Sequence, residues 1–360
     1  MNSLCDPKDL DDFVLFDEDC LTTTRRLPNE CIDLLYVDPP FCSGRLYSTK
    51  GQVFDDRWAS LEAYLDWARP RLAEFHRILK KTGSIYIHCD GHVSHYLKVL
   101  TDTIFNRKNF LNEIVWRRQS SHNDAQQGSR HFGRIHDTIL VYVKSGNYVW
   151  NQEYVPYEDT YVKRTYRYVE LETGRRYALG DLTGPGGHAK GNPFYRFLGI
   201  YRHWRYSKTR MSELFVEGRI FQKKGRVPLL KRYLDEMNGR PLQDIWSDIK
   251  PDHPSKIIFP TQKPLGLIER IVRVSSHPGQ LVYDPFSGAS TSGIACLKLS
   301  RRWVGSELLK DACRLSSKRF EALGYKVKLF SEFERENELT TCFAGKQYSP
   351  PGGQTIVNTR

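Results

Sequence analysis

The chain has 360 residues, with 54 Lys and Arg against 42 Asp and Glu, which gives a formal net charge of +12. A hydrophobic content of 39% with 20 Tyr, 18 Phe and 7 Trp excludes a disordered chain, and the length suits one large domain with an insertion or two domains. No run of 18 apolar residues occurs, which argues against a membrane span, and the polar segment 1–12 argues against a secretory signal. The eight cysteines lack CxxC spacing, so we expect reduced thiols in a cytoplasmic protein and no zinc site.

The predicted elements of the first part of the chain alternate between strand and helix. Residues 32–37 form an almost continuous apolar run, typical of a strand buried on both faces of a parallel sheet. Residues 60–80 have helical spacing, with a kink or break expected at Pro70 and an end at Gly83. Further elements are predicted in the order strand, helix, strand, strand, at residues 84–88, 92–105, 112–117 and 138–143. This alternation predicts an α/β fold.

The alternation stops at about residues 120–257, which are rich in loop sequences, and resumes afterwards. Residues 161–240 contain 18 Lys and Arg against 7 Asp and Glu, a net charge of +11. A basic stripe with aromatic residues is typical of a nucleic-acid-binding surface, and the alternative is a solvated, Arg-rich face. The aromatic residues in this stripe include Tyr195, Phe197, Tyr201, Trp204 and Tyr206. The later predicted elements are a helix at 264–275, a strand at 280–283, a helix near 291–299 and a strand at 302–306.

The first predicted strand ends in the motif Asp38-Pro39-Pro40-Phe41. Because proline fixes φ, the backbone carbonyls here point in set directions. A carboxylate and a carbonyl can accept both N–H groups of one exocyclic amino group, and Phe41 can stack on the ring that carries it. The motif therefore suits methylation of a base amino nitrogen, although a strand-terminating turn capped by Asp38 is the alternative.

A second motif follows the predicted strand at 280–283 and runs from Asp284 to Thr291 with small residues. Small residues let the backbone approach a ligand, and Glu307 at the tip of the next strand suits ribose hydroxyls. The motif is not GxGxxG and lacks the lysine of a P-loop, so a phosphate-binding role is disfavoured. Taken alone, such a turn can also be purely structural.

Together, the two motifs resemble those of the S-adenosylmethionine-dependent DNA amino-methyltransferases. The family's DPP[YF] motif corresponds to residues 38–41 and its DPFxGxGT cofactor loop to residues 284–291, with Ser290 where glycine is usual. We expect that departure to be tolerated only if position 290 does not need a positive φ. The family's TxKP element corresponds to Thr261 and Lys263, which the resemblance implies hold the methionine carboxylate.

The order of the motifs resembles the β group of this family. That resemblance implies a Rossmann-like α/β methyltransferase domain that is circularly permuted and carries an inserted target-recognition region. We expect a catalytic half at 1–118, a basic target-recognition region at 119–257 that includes a returning core strand up to about 143, a cofactor-binding half at 258–345 and a tail at 346–360.

The resemblance also implies roles for individual residues. Asp19 is expected to bind the cofactor adenine, with Asp17 as the nearby competitor, and Cys42 is expected only to pack. The catalytic residues are Asp38, Pro39, Pro40 and Phe41. The expected cofactor-binding residues are Asp19, Cys20, Thr261, Lys263, Asp284, Phe286, Gly288, Ser290, Thr291 and Glu307. The expected DNA-binding residues are Arg202, Arg205, Lys208, Arg210 and His136, the last of which is expected to line the target-base pocket.

The reaction implied by the resemblance is direct methyl transfer from S-adenosylmethionine to the N6 amino group of adenine in double-stranded DNA, with the base flipped out of the duplex. The alternatives are an N4-cytosine DNA methyltransferase, an RNA methyltransferase and a catalytically inactive DNA-binding protein. The expected partners are duplex DNA, a second copy of the chain in a homodimer and a cognate restriction enzyme.

Overall fold

The computed structural model describes residues 12–49, 52–119, 128, 130–253 and 257–330, so the expected tail at 346–360 lies outside the described residues. The strands of this part of the chain are β1 (Phe13–Phe16), β2 (Ile32–Val37), β3 (Leu46–Thr49), β4 (Gln52–Asp55), β5 (Leu79–Cys89), β6 (Phe110–Arg117), β7 (His136–Val143), β8 (Tyr154–Val155), β9 (Tyr168–Val169), β10 (Arg176–Asp181), β11 (Phe194–Phe197), β12 (Ile200–His203), β13 (Ile220–Phe221), β14 (Leu229–Tyr233), β15 (Arg240–Pro241), β16 (Ile245–Trp246), β17 (Leu281–Asp284), β18 (Arg302–Ser306) and β19 (Lys328–Phe330). The helices are α1 (Cys20–Arg26), α2 (Leu61–Ile78), α3 (Ser94–Phe105), α4 (Asp159–Thr165), α5 (Lys208–Val216), α6 (Leu265–Ser275), α7 (Thr291–Lys298) and α8 (Lys310–Glu321).

The chain divides into two units, one formed by residues 1–151 and 243–360 and the other by residues 152–242. The first unit contains a nine-stranded sheet in the order β16-β6-β7-β5-β2-β17-β18-β1-β19. Every neighbouring pair in this sheet is parallel except the two pairs made by β7, which runs antiparallel to β5 and β6. The expected α/β fold with a mainly parallel sheet is therefore confirmed.

The strands at the centre of this sheet are buried on both faces, as their apolar sequences predict. All six residues of β2 and all four of β17 are buried. Helices α2 and α3 contribute Tyr64, Phe75 and Leu97 to the same core. None of the helices in the described ranges combines the length and apolarity that a membrane crossing requires.

Two expectations for the helix at residues 60–80 are wrong, namely a break at Pro70 and an end at Gly83. Helix α2 is a single helix of 18 residues with Pro70 inside it, because the residues before and after the proline bury the same face against the core. Gly83 does not end the helix but lies within β5, where a Cβ would lie 2.9 Å from the carbonyl oxygen of Asp33. The close approach of β2 explains the glycine there.

The second unit, residues 152–242, has regular structure that its loop-rich sequence did not predict. It contains a four-stranded antiparallel sheet in the order β13-β14-β10-β9, a two-stranded ribbon of β11 and β12, and a pair of β15 and β8. A small core unites Leu182, Phe197, Trp204 and Met211. The unit is narrower than the expected region 119–257, because β7 and β16, which fall within that range, belong to the sheet of the first unit.

Candidate active site

A row of acidic residues follows four adjacent parallel strands of the first unit. Asp17, Asp38 and Glu307 come directly after β1, β2 and β18, and Asp284 is the last residue of β17. Because the carboxyl ends of parallel strands meet at one edge of the sheet, these residues lie at the same edge. Three of the four, Asp38, Asp284 and Glu307, line a cavity of about 440 Å³ there.

This first cavity brings together all four expected catalytic residues and nearly all of the expected cofactor-binding residues. Asp19 lines it. Asp17, the alternative candidate for binding the cofactor adenine, is not among the described residues that line the cavity. The expected residues that line the cavity are Asp19, Cys20, Asp38, Pro39, Pro40, Phe41, Thr261, Lys263, Asp284, Phe286, Gly288, Thr291 and Glu307.

Asp38, the first residue of the expected catalytic motif, forms an ion pair with Lys263. The Lys263 ammonium donates to both carboxylate oxygens of Asp38, at 2.8 and 2.6 Å, and to the Thr261 carbonyl at 3.2 Å. It also lies 5.1 Å from the centre of the Phe41 ring. Because an ammonium has three N–H groups, these three contacts use all of them. The structure thus ties Lys263 to Asp38, while its implied role in holding a methionine carboxylate stays a prediction.

The loop after β17 brings its backbone close to the cavity. Gly288 has φ +50°, and a Cβ on it would lie 3.1 Å from the Phe259 ring, so only glycine fits without displacing that ring. Its N–H donates to Glu307 Oε2 at 2.7 Å, and the Leu309 N–H donates to Oε1 at 2.9 Å. Glu307 therefore ties this loop to the end of β18.

Residue 290 has a positive φ. We expected serine to be tolerated there only if the position did not need one, and that expectation is wrong. Ser290 precedes α7 with φ +55° and ψ +43°. It is fully buried, and its hydroxyl is 2.8 Å from that of Ser316. The side-chain hydrogen bond offsets part of the cost of about 1–2 kcal/mol that a left-handed conformation carries for a residue with a Cβ.

Asp284 has a strongly perturbed carboxyl. Burial, together with the nearby Asp38 and Glu307, raises the pKa of this group to about 7, although hydrogen bonds from Ser292 and the Phe286 N–H act in the opposite direction. Between its ordinary value of 3.8 and about 7, the folded protein holds a proton on Asp284 that the unfolded chain does not hold. The stability that this carboxyl contributes therefore falls as the pH rises through that window.

We expect Asp284→Asn to remove this pH dependence, because asparagine keeps the shape of the side chain without its ionisation. From about pH 5 to pH 8, the wild type should lose on the order of 2–3 kcal/mol more unfolding free energy than the variant. Denaturant unfolding at both pH values measures the difference. Equal losses of unfolding free energy in the wild type and in Asp284→Asn would contradict the raised pKa of Asp284.

Asp19 caps α1 and is also paired with a cation. Its Oδ1 accepts the Leu21 N–H at 2.8 Å, and its Oδ2 accepts from Arg71 at 2.6 Å. Arg71 in turn lies over the Trp67 ring at 4.2 Å. Cys20, the first residue of α1, is buried, and burial raises the pKa of its thiol to about 12.

A second cavity of about 860 Å³ adjoins the first. Both are lined by Phe41, Thr261 and Lys263, and the second is also lined by His136 and Asp137. Asp137 belongs to a buried chain of polar groups that crosses three neighbouring strands, β7, β5 and β2. Its Oδ2 is 3.2 Å from His88 Nε2, and His88 Nδ1 is 2.9 Å from the Tyr36 hydroxyl.

This polar chain lies next to Phe41, the last residue of the expected catalytic motif. The imidazole of His88 is fully buried and lies nearly parallel to the Phe41 ring, with 6.0 Å between ring centres. Because hydrogen bonds to Tyr36 and Asp137 fix the imidazole, they also limit the orientations open to Phe41. At the Asp137 end of the polar chain, Asp137 Oδ1 and Arg118 Nε form an ion pair at 3.4 Å, but no hydrogen bond joins the two atoms.

Comparison with known proteins places this geometry in a family. A family model described as DNA methylase, covering N6 and N4 methyltransferases, matches residues 32–318. The chain belongs to this family of S-adenosylmethionine-dependent DNA methylases. The resemblance and the cofactor that the motifs indicated are thereby confirmed, whereas the choice between adenine and cytosine is not resolved.

The matches between this DNA methylase and individual known proteins extend over most of this chain. The type II methyltransferase M.EcaI of Enterobacter cloacae is 30% identical over 295 residues, which are 80% of this chain and 64% of that protein, so the chain spans just under two thirds of it. The DNA adenine methyltransferase YhdJ of Escherichia coli is 26% identical over 308 residues, or 85% of this chain and 82% of that protein. The solved structure of TTHA0409 from Thermus thermophilus with S-adenosyl-L-methionine is 19% identical, with a TM-score of 0.48, and the match covers 89% of this chain and 98% of that one.

The loop directly after the expected catalytic motif has an anchoring residue that the sequence analysis missed. Asp56, directly after β4, is almost fully buried, and its carboxylate accepts from the N–H groups of Cys42 and Ser43 and from the Ser43 hydroxyl at 2.9, 2.9 and 2.6 Å. Cys42 has φ +53°, a conformation that costs a residue with a Cβ about 1–2 kcal/mol. Asp56 therefore holds the backbone directly after Phe41. No motif marks it, because two of its three partners are backbone N–H groups.

We expect Asp56→Asn to lower kcat about tenfold or more while leaving the KM for S-adenosylmethionine nearly unchanged, because an asparagine amide cannot accept all three hydrogen bonds. Steady-state kinetics measures both constants. The matched control is Asp55→Asn, since Asp55 is exposed and its carboxylate pairs with Arg57 instead. Equal kinetic effects of the two changes would contradict an anchoring role for Asp56.

The expected DNA-binding residues of the second unit differ in whether other groups of the protein already bind their charged side chains. Arg210 donates to Glu213 and Glu217 at 2.9 and 3.0 Å, so its charge is already compensated. Arg205 donates through Nε to the Thr183 carbonyl, while Arg202 and Lys208 are exposed. Trp204 is fully buried and Phe197 nearly so, so neither is available to stack on a base as the sequence stripe suggested.

Proposed function

We propose that this DNA methylase transfers a methyl group to the N6 amino group of adenine in double-stranded DNA at a specific sequence. The proposal rests mainly on the observation that the two cavities meet at Phe41 and Lys263. At that junction Lys263 donates a hydrogen bond to the Asp38 carboxylate. One cavity then holds the cofactor and the other holds the base. S-Adenosylmethionine supplies the methyl group, carried on a sulfonium sulfur.

The residues around the first cavity fit this cofactor. Gly288 and Phe259 both line its wall, and the backbone and the ring pack closely there because Gly288 has no Cβ. The carboxylates of Asp19 and Glu307 suit an adenine amino group and ribose hydroxyls, since carboxylate oxygens accept more than one hydrogen bond each. The proposed cofactor-binding residues are those of the sequence analysis, with Ser290 acting through the conformation of the loop.

The catalytic step that the chain performs is to position an amino group. Asp38 and the Pro39 carbonyl accept its two N–H groups, which shifts lone-pair density onto the nitrogen and orients it for direct transfer. Phe41 stacks on the base, a contact worth about 1–3 kcal/mol. The amino group is paired inside a duplex, so the base has to leave the helix and enter the second cavity, which is lined by His136.

Cytosine N4 is the second candidate acceptor, because the same carboxylate and carbonyl accept an N–H group from either base. The preference for adenine rests on Asp38, since members of the family with aspartate at this position mostly act on adenine. The match to YhdJ, a DNA adenine methyltransferase by name, extends over 82% of that protein, which favours the same base.

Nucleoside mass spectrometry of DNA incubated with the purified protein and S-adenosylmethionine tests the proposal. N6-methyladenine is the expected product. N4-methylcytosine would keep the mechanism and overturn the choice of base. Absence of any methylated base from varied DNA would overturn the proposed function in favour of an RNA methyltransferase or a binding protein without turnover.

We also propose that the chain is a circularly permuted member in which the second unit reads the DNA. This rests on the order of the motifs along the chain and on the net charge of +11 over residues 161–240. Names such as type II methyltransferase among the relatives support a place in restriction-modification, with a cognate restriction enzyme. Sedimentation analysis tests the expected homodimer.

A further inference from the structure

One segment of the second unit carries positive charge without any acidic residue. Residues 183–210 contain six Lys and Arg and no Asp or Glu. The six are Lys190, Arg196, Arg202, Arg205, Lys208 and Arg210. Such a segment is complementary to a polyphosphate chain.

The ribbon of β11 and β12 lies in the middle of this segment, and its two faces differ. Phe197 and Ile200 point to the core that contains Trp204 and Met211. Side chains alternate along a strand, so Phe194 and Arg196 share the opposite face with their cross-strand partners His203 and Tyr201. This opposite face, formed by Phe194, Arg196, Tyr201 and His203, is called the aromatic face below.

The aromatic face is built from rings that are open to solvent. Phe194 is 61% exposed and Tyr201 is 63% exposed, although they stack with 6.2 Å between ring centres. Arg196 lies 5.9 Å from the Tyr201 ring, and His203 lies 4.9 Å from Phe194. Two large aromatic side chains held in solvent gain little for folding, so their placement points to a ligand.

We propose that the aromatic face binds DNA, with Phe194 and Tyr201 stacking on bases at an opened base step and Arg196 contacting phosphate. The inference rests on the proposed function, which makes DNA the substrate, and it deepens that function by assigning a contact surface. A two-stranded ribbon fits the major groove, and aromatic rings stack on any exposed base. The acid-free sequence around the ribbon favours DNA over a protein partner as the occupant.

Phosphate contacts and base stacking differ in how the DNA affinity that they provide depends on salt concentration. Phosphate contacts release counterions, so each one removed lowers the slope of log affinity against log salt by about 0.9. Stacking has no such dependence. We therefore expect the double variant Phe194→Ala, Tyr201→Ala to bind duplex DNA about fivefold or more weakly, with an unchanged slope, and Arg196→Gln to lower the slope.

Fluorescence anisotropy of a labelled duplex between about 50 and 200 mM salt measures both quantities. Leu171→Ala is the matched control, because Leu171 is 99% exposed in the same unit and lies between Glu170 and Glu172. Circular dichroism and thermal unfolding show whether the variants fold, as expected for changes at exposed positions.

Wild-type affinity in the double variant would overturn the inference. A lower sedimentation coefficient of the double variant without DNA would also overturn it, because the aromatic face would then bind a second copy of the chain. Failure of the proposed function is distinguishable, since a wild type that binds DNA but forms no methylated base refutes methylation and leaves the binding results intact.

Discussion

Replacing Asp38 by alanine is expected to lower the rate of methyl transfer roughly 10²- to 10⁴-fold, the range found when a group that positions or polarises a reacting atom is removed. The carboxylate is the proposed acceptor for the target amino group, and in the structure it is held by both of its contacts with Lys263. Single-turnover methylation of DNA measures the rate, and calorimetric titration with S-adenosylmethionine shows whether the cofactor still binds.

The Asp38→Ala variant also leaves the Lys263 ammonium, which is 9% exposed, without its carboxylate. Removing one partner of a buried ion pair destabilises a protein by about 3–5 kcal/mol. The double variant Asp38→Ala, Lys263→Met removes both charges and is therefore the control for folding. A rate within about threefold of wild type in a folded Asp38→Ala protein would contradict a catalytic role, since positioning of the amino group accounts for far more.

Replacing Gly288 by alanine is expected to weaken S-adenosylmethionine binding about tenfold or more. Alanine at φ +50° is strained by about 1–2 kcal/mol, and its Cβ would lie 3.1 Å from the Phe259 ring, which lines the cavity. The ring or the loop has to move, and either movement alters the wall against which the cofactor is proposed to lie. Calorimetric titration measures the affinity.

Gly279→Ala is the matched control for this change. Gly279 has φ +79°, and nothing lies within 4 Å of a Cβ built on it, so it carries the backbone strain without the close approach. Both variants should lose stability in thermal unfolding, Gly288→Ala more than Gly279→Ala, but only Gly288→Ala should lose affinity. Equal affinities in the two variants would show that the close approach at Gly288 has no part in binding.

The strands and the catalytic loop were predictable because each is encoded locally. The apolar run at 32–37 became β2 with the expected bounds, and the prolines after it end the strand as expected. The strand at 302–306 likewise became β18. Burial on both faces leaves a signal in sequence because nearly every residue has to be apolar, the buried Asp33 of β2 being paired with Lys80, and a rigid motif leaves one because proline has few conformations.

The rest depended on contacts between distant residues. Asp56 binds backbone groups 13 and 14 residues away, which no spacing rule identifies. Trp204 reads as a surface aromatic in a basic segment, yet it fills the core of the second unit because Phe197 and Met211 fold around it. Pro70 predicted a kink or a break, but α2 runs through it without a break, because packing of the flanking residues outweighed the local preference of proline.

Three residues with side chains, Cys42, Thr261 and Ser290, hold left-handed backbone conformations in the loops around the two cavities, with φ values of +53°, +63° and +55°. Each stores conformational energy that the surrounding fold has to supply. Glycine would relieve that strain, but it would also loosen loops whose shape the reaction requires. We therefore expect glycine at these positions to raise heat resistance and to slow turnover, so laboratory selection for stability should be paired with selection for activity.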